Sequence, residues 1–589
     1  MKSFINLFKN MTKKDLVLVF FIVLLVVLSV YLDLKLPDYM SEITKLVQTE
    51  NSTIKSILNA GLWMILCAVA SLICTVINGY FTSLLSARFS RNIRRKIFIK
   101  VEEFGLTEIK KFQTSSLITR TTNDVTQIEM LLAMGLHLII KSPVMAVCAL
   151  VKILGKSAEL SMVTGAGVII IVCTNLLIIK AVSPRFEKLQ KQTDSLNGVT
   201  RENLNGIRVI RAFNAERFQQ NRFETINKDL TGNQLNIQKT FAVMDPIMNF
   251  VMHFQHLGIY VVGAFLIMQA GMLDKINIFS NMVVFSSYGM QVIMSFLMLT
   301  MIFMILPRAS VSAKRICEIL DEDVTVKSGK FNGETKEKGT IEFKNVSFKY
   351  PDADEDVLSN ISFKVNQGET IAFIGSTGSG KSTLINLVPR LYDVTSGEIL
   401  IDGVNVKEYK LSALNNKIGY VPQKAVMFTG SVKENVSYGD NGRKKATLDK
   451  VKEAIKVAQG KEFVEKMEAT YDSHIARGGT NISGGQKQRL SIARAIARDP
   501  EIYIFDDSFS ALDYKTDSTL RKALKKYTKD ATSMIVAQRI GTIMNADKIV
   551  VLDNGKCVGM GTHKELLNNC EVYKEIALSQ LSEEELQNA

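Results

Sequence analysis

Six long apolar runs shape the first half of this chain, at about Leu16–Leu32, Ile57–Leu85, Ser142–Leu154, Met162–Val182, Ile247–Gly271 and Ile278–Leu306. A helix crosses a bilayer with roughly 20 apolar residues, so the pattern predicts six spans. The third run is short, and its helix is expected to begin near Leu131, with Lys141 at the inner interface where its stem can snorkel. No Asp or Glu falls inside the apolar runs. Lys2, Lys9, Lys13 and Lys14 precede the first run, which is too long for a signal peptide and has no small-residue cleavage site after it. Two long basic segments, Arg88–Arg120 and Arg185–Lys239, each read as a pair of helix extensions joined by a turn. From residue 339 the pattern changes to short apolar strands, glycine turns and mixed charge, the signature of a water-facing α/β domain.

A chain of 589 residues exceeds what one core supports. The expected division is a transmembrane domain over 1–320, a linker over 321–338, an α/β domain over 339–580 and an acidic tail over 581–589. The formal charge of +14 could suggest nucleic acid. Its placement in two loops argues instead for cytoplasmic loops of a membrane protein, with both termini on the same side. Seven scattered cysteines with no C-x-x-C predict neither a disulfide framework nor a zinc site.

Candidate chemistry begins at Gly375-Ser376-Thr377-Gly378-Ser379-Gly380-Lys381-Ser382, which fits the phosphate-loop pattern G-x-x-x-x-G-K-[ST] without a mismatch. The run Thr370–Ile374 reads as the strand before it, and Thr383–Leu387 continues with helical spacing. Backbone N–H groups and a helix N-terminus suit phosphate oxygens. Lys381 is expected at the outer phosphates and the Ser382 hydroxyl on Mg²⁺.

With the motifs that follow, the chain resembles the half-transporters of the ABC exporter family, over nearly its whole length: a six-helix membrane domain fused to a P-loop α/β ABC ATPase domain. Tyr350 stands where that family stacks a ring on adenine. Val421-Pro422-Gln423 matches its Q-loop, whose Gln423 oxygen would join the Mg²⁺ shell. Ile482-Ser483-Gly484-Gly485-Gln486 matches its signature, which in the family faces ATP held by a partner subunit. Ile502–Asp506 matches the Walker B strand, with Asp506 on Mg²⁺ through water. Ser510-Ala511-Leu512-Asp513 matches the D-loop. The resemblance implies ATP and Mg²⁺ as cofactors, and transport driven by ATP hydrolysis.

Two positions depart from the family. Asp507 stands where the family has Glu, the base or positioner for attacking water, and is shorter by a carbon–carbon step of about 1.5 Å. Gln538 stands where it has the switch His; its amide donates a hydrogen bond but does not titrate. Together they imply a site that keeps ATP and cuts it slowly, beside an intact signature. That combination resembles the degenerate-site subunit of heterodimeric bacterial multidrug exporters, whose partner is a different half-transporter. The acidic loop of the family is altered here to Ser473–Gly478.

Two cytoplasmic turns are candidates for passing force, Thr114–Asp124 and Val209–Glu216. The second, with Arg211, Ala212 and Phe213, resembles the family's coupling helix. Asn249, His253, His256 and Tyr260 share one face of the fifth span, and Ser287, Gln291, Ser295 and Met298 one face of the sixth. Such faces point at protein or water rather than lipid. They serve either helix-to-helix hydrogen bonds or a wet cavity for small amphipathic substrates. A lipid or peptide exporter with the same engine, or an ATP-gated channel or regulator, are the alternatives to multidrug export from a bacterial plasma membrane. No nucleic-acid partner is expected.

Overall fold

The computed structural model describes residues 2–49, 52–154, 156–439, 442 and 445–581; the expected acidic tail lies outside them from residue 582. The chain folds as two compact units, residues 1–102 with 115–322, and residues 103–114 with 323–589. The short stretch 103–114 thus belongs with the α/β unit, although the chain around it is membrane helix.

Among the described residues of the first unit, six helices are long and apolar enough to cross a membrane: Lys13–Gln48, Ile54–Glu102, Thr114–Leu154, Ala158–Ala212, Glu216–Gln269 and Asp274–Leu299. Thr12 opens the first with a capping box, its hydroxyl accepting from the Asp15 N–H while Asp15 accepts from the Thr12 N–H. The third carries a π-turn at Leu131–Gly135 before Leu136–Leu154. Large apolar side chains such as Phe20, Leu58, Ile65 and Leu72 face outward, which in water would be costly and in a bilayer is not.

The first helix does not stop where its hydropathy falls. It continues to Gln48 and carries Asp33 and Asp38 inward, a correction to the expectation that no carboxylate lies along the spans. Asp33 pairs with Lys141 at 3.2 Å and Asp38 with Lys152 at 2.7 Å. Lys141, expected at an interface, thus lies beside Asp33, about 25 Å of helix beyond Leu16. Pro37 lacks an N–H for the Asp33 carbonyl, and the Gln291 amide nitrogen approaches that oxygen at 3.5 Å. The Tyr288 hydroxyl donates to the Leu34 carbonyl and to Asp38.

The second unit holds a six-stranded sheet. In spatial order its strands are Lys556–Gly561, Lys548–Asp553, Thr370–Gly375, Thr532–Val536, Ile502–Asp506 and Ile418–Val421, all parallel except the first. A four-stranded antiparallel sheet packs beside it. Phe343 and Phe363 stack at 4.4 Å, and Phe363 meets Phe373 at 5.6 Å, joining the two sheets in one core. Parallel strands put their C-terminal ends on one edge, where ligands bind in open α/β sheets. Here that edge carries Gly375, Asp506, Asp507 and, just past their strands, Gln423 and Gln538.

Candidate nucleotide site

The phosphate loop connects the strand Thr370–Gly375 to a helix that starts at Lys381. Gly380 has φ +94°, and a Cβ there would meet Leu358 Cδ2 at 2.7 Å; at Gly378, φ +87°, a Cβ would enter open space. The first glycine is required by the fold, and the second leaves room over the loop. Lys381 Nζ donates to the carbonyls of Gly375 at 2.8 Å and Ser376 at 2.7 Å, so its ammonium is held against the loop rather than splayed into solvent. Burial lowers its pKa, and the Asp507 and Asp506 carboxylates oppose that shift.

Ser382 Oγ donates to Asp506 Oδ1 at 2.7 Å, bringing the two expected Mg²⁺ ligands together. Burial raises both the Asp506 and Asp507 carboxyls above the usual aspartate range. A ring of hard oxygen donors beside a lysine and a glycine-rich loop fits a magnesium–triphosphate group. Ser382, Asp506 and Gln423 would hold the metal, while Lys381 and the loop N–H groups would hold the phosphates.

Asp507 has φ +45° and its N–H donates to the Val536 carbonyl at 3.0 Å. Asp is among the residues that enter this left-handed region most readily. Its Oδ2 accepts from Gln538 Nε2 at 2.9 Å and Gln423 Nε2 at 3.3 Å. Both departures from the family pattern therefore meet each other in one hydrogen bond.

Tyr350 sits partly buried with its hydroxyl 3.0 Å from Thr383 Oγ1. Two residues of the helix Leu106–Phe112 escaped the sequence reading. Lys110 places its ammonium 4.5 Å from the Tyr350 ring centroid and 5.6 Å from that of Tyr392. The Glu108 carboxylate in the same helix accepts from the N–H groups of Gly105 and Thr325. Of the expected force-passing turn Thr114–Asp124, residues 115–124 fall in the membrane unit; the stretch grouped with the α/β unit is the one before it.

The signature residues lie apart from these groups. Ser483 caps the helix Gly484–Arg498 in a capping box with Gln486. Gly484 is exposed, and a Cβ on it would meet nothing within 4 Å; one on Gly485 would meet the Ala511 carbonyl at 3.5 Å. Asp513 caps the next helix through the Thr516 N–H. In the membrane unit Arg211 and Ala212 end one long helix, and Phe213, 78% exposed, stands at the turn.

Among the expected cavity residues, Gln291 and Met298 line a cavity of about 410 Å³, with Met290, Met294, Lys141 and Ser142. Asn249, His253 and His256 do not line it. His253 is exposed, Asn249 donates to Asp245, and His256 bonds the Met252 carbonyl of its own helix. The buried polar residue of that helix is Gln255, whose amide reaches Thr164 Oγ1 at 3.5 Å. Periodicity groups the residues of a face but does not say which face turns inward.

Comparison with known proteins agrees with this architecture. Residues 19–296 match the ABC transporter transmembrane region and residues 358–510 the ABC transporter family. An uncharacterized ABC transporter ATP-binding protein of Mycobacterium tuberculosis is 37% identical over 568 residues, 96% of each chain. A putative multidrug export ATP-binding/permease protein of Bacillus subtilis, YgaD, is 32% identical over 513 residues, 84% of each. The fold is similar to a solved bacterial Atm1-family ABC exporter with ATP bound, with TM-score 0.80, 23% identity and coverage of 95% of this chain and 98% of that one. With its membrane helices and its transport ATPase domain on one polypeptide, the chain belongs to the ABC transporter family as an exporter half-transporter.

Proposed function

We propose that this half-transporter works beside a different half-transporter, holding ATP at its own site with little hydrolysis while its signature completes the partner's site. The observation that carries this reading is the Asp507 carboxylate, engaged by both Gln538 and Gln423. A general base needs a free oxygen within about 2.6–3.2 Å of the water it activates. Asp507 is a methylene shorter than the family's glutamate, and one oxygen already accepts two amide hydrogen bonds. Gln538 donates to that carboxylate where a histidine would serve the terminal phosphate.

Mg²⁺, when bound, would supply positive charge against the phosphates, with Ser382, Asp506 and Gln423 as the residues that would hold it. Lys381 binds and orients those phosphates, and Tyr350 offers its ring to adenine. ATP bound to the closed form stabilises it by about 4 kcal/mol at a thousandfold excess over Kd. A slow site sustains that contribution over many cycles, and the partner's hydrolysis resets the pair. Gly484 supports the signature's role: its own fold puts nothing over it, so an incoming phosphate has free access to the helix N-terminus behind it.

The transported compounds are small and amphipathic, moved out of the cell across a bacterial plasma membrane, with the ATPase domain and both termini cytoplasmic. The methionine-lined cavity supports this class, since thioether side chains adapt to varied apolar shapes. Phe213 and its turn act as a coupling element. The test is to tag this chain in its native membrane and identify what co-purifies. The expected result is a second half-transporter carrying Glu and His at the positions matching 507 and 538. Recovery of this chain paired only with itself, and hydrolysing ATP briskly, would overturn the reading.

A further inference from the structure

The cavity of the membrane unit has polar groups left over. Ser142 lines it, is 2% exposed, and its hydroxyl finds no hydrogen-bond partner among the described residues. Gln291 lines it too. Its amide nitrogen is directed at the Asp33 carbonyl freed by Pro37, and its Oε1 is buried and unpartnered among the described residues. Lys141 lines the cavity while its counter-ion Asp33 does not. Both Asp33 carboxylate oxygens are engaged, Ser71 Oγ donating to one and Lys141 facing the other. Of the three ammonium donors, the Asp33 ion pair accounts for one.

Buried polar groups in native proteins have partners, and intramembrane ionisable groups mark substrate paths. Lys141 and Ser142 offer N–H and O–H donors, Gln291 an acceptor, and Met290, Met294 and Met298 an apolar bed. A cationic head would meet the Lys141 ammonium directly, with Asp33 behind it. We propose that this cavity binds amphiphiles with an anionic, hydrogen-bond-accepting head, such as a carboxylate or phosphate, through Lys141 and Ser142, and that Lys141 sets the selection against cations. This rests on the export reading above.

The test uses the full chain, with its co-purifying partner, in nanodiscs of zwitterionic lipid. The probes are pyrenebutyrate, its methyl ester and pyrenebutylamine, which share one apolar body. The carboxylate is expected to bind the wild type more tightly than the amine by about tenfold or more. Lys141→Gln removes that preference, Lys141→Arg retains it, and Met294→Ala weakens all three probes alike. If Lys141→Gln does not fold, Asp33→Asn/Lys141→Gln removes both charges together and is expected to lose the same preference. Competition by added phosphatidylglycerol supports the head-group chemistry and marks a bilayer lipid as its source; carboxylate preference without such competition supports it for a dissolved amphiphile. Equal or tighter binding of the amine, or an unchanged ratio in the charge-free variant, would overturn the proposal. Transport failure with the preference intact would count against the export reading alone.

Discussion

Gln538 Nε2 donates to Asp507 Oδ2 at 2.9 Å. The two residues that depart from the family's catalytic pattern are thus partners, and a change at either alters the other. Restoring only one leaves an incomplete site. Asp507→Glu/Gln538→His is expected to raise hydrolysis at this chain's own site by about 10²-fold, the lower end of what a positioned general base contributes. Phosphate release by the assembled complex, with the partner's catalytic glutamate replaced by Gln, measures it. A rate unchanged from the same complex with wild-type Asp507 and Gln538 would count against the account.

Gly484→Ala separates fold from function. A Cβ there meets nothing within 4 Å, and Ala in a helix is intrinsically favoured over Gly by about 1 kcal/mol. Thermal unfolding is expected to be unchanged or slightly raised. ATPase activity of the assembled complex is expected to fall, because the methyl group would stand where the partner's phosphate approaches. Full activity would exclude the signature from the partner's site.

Asp33→Asn leaves Lys141 facing the cavity without a counter-ion. The pair is about one-fifth exposed on each side (19% and 22%), so the loss is expected near the low end for breaking a buried pair, about 3 kcal/mol. Asp33→Asn/Lys141→Gln is expected to recover most of it, since no uncompensated charge remains. A double-mutant cycle on thermal stability in nanodiscs reads the coupling, and additive losses would show that the pair does not interact.

Lys110 ties its short helix to the rings of Tyr350 and Tyr392. A cation over an aromatic face contributes about 0.5–1 kcal/mol at an exposed site. Lys110→Ala is expected to speed amide hydrogen exchange across residues 103–114, and Lys110→Arg to restore protection. Exchange identical to wild type in Lys110→Ala would show that the contact contributes nothing.

What could be read from the sequence was local. The phosphate loop is contiguous, and the strand and helix on either side are fixed by their own periodicity. The six spans were legible because hydropathy integrates over some twenty positions. Asp33 and Asp38 were missed because an apolar run ends where composition changes, whereas the helix continues to Gln48. His253 is exposed and does not line the cavity, because polarity groups the residues of a face without saying which way that face turns. Gln255 was the inward residue, and its partner Thr164 lies ninety-one positions away. Lys110 reaches Tyr350 across a gap of sequence that no pattern in either segment announces.

The central claim is that this chain grips ATP without cutting it. The most direct measurement loads the assembled complex with radiolabelled ATP, lets the partner's site turn over many times, and chemically identifies the nucleotide still bound to this chain's phosphate loop. The account predicts intact ATP. Recovery of ADP there, formed at the pace of overall turnover, would contradict it.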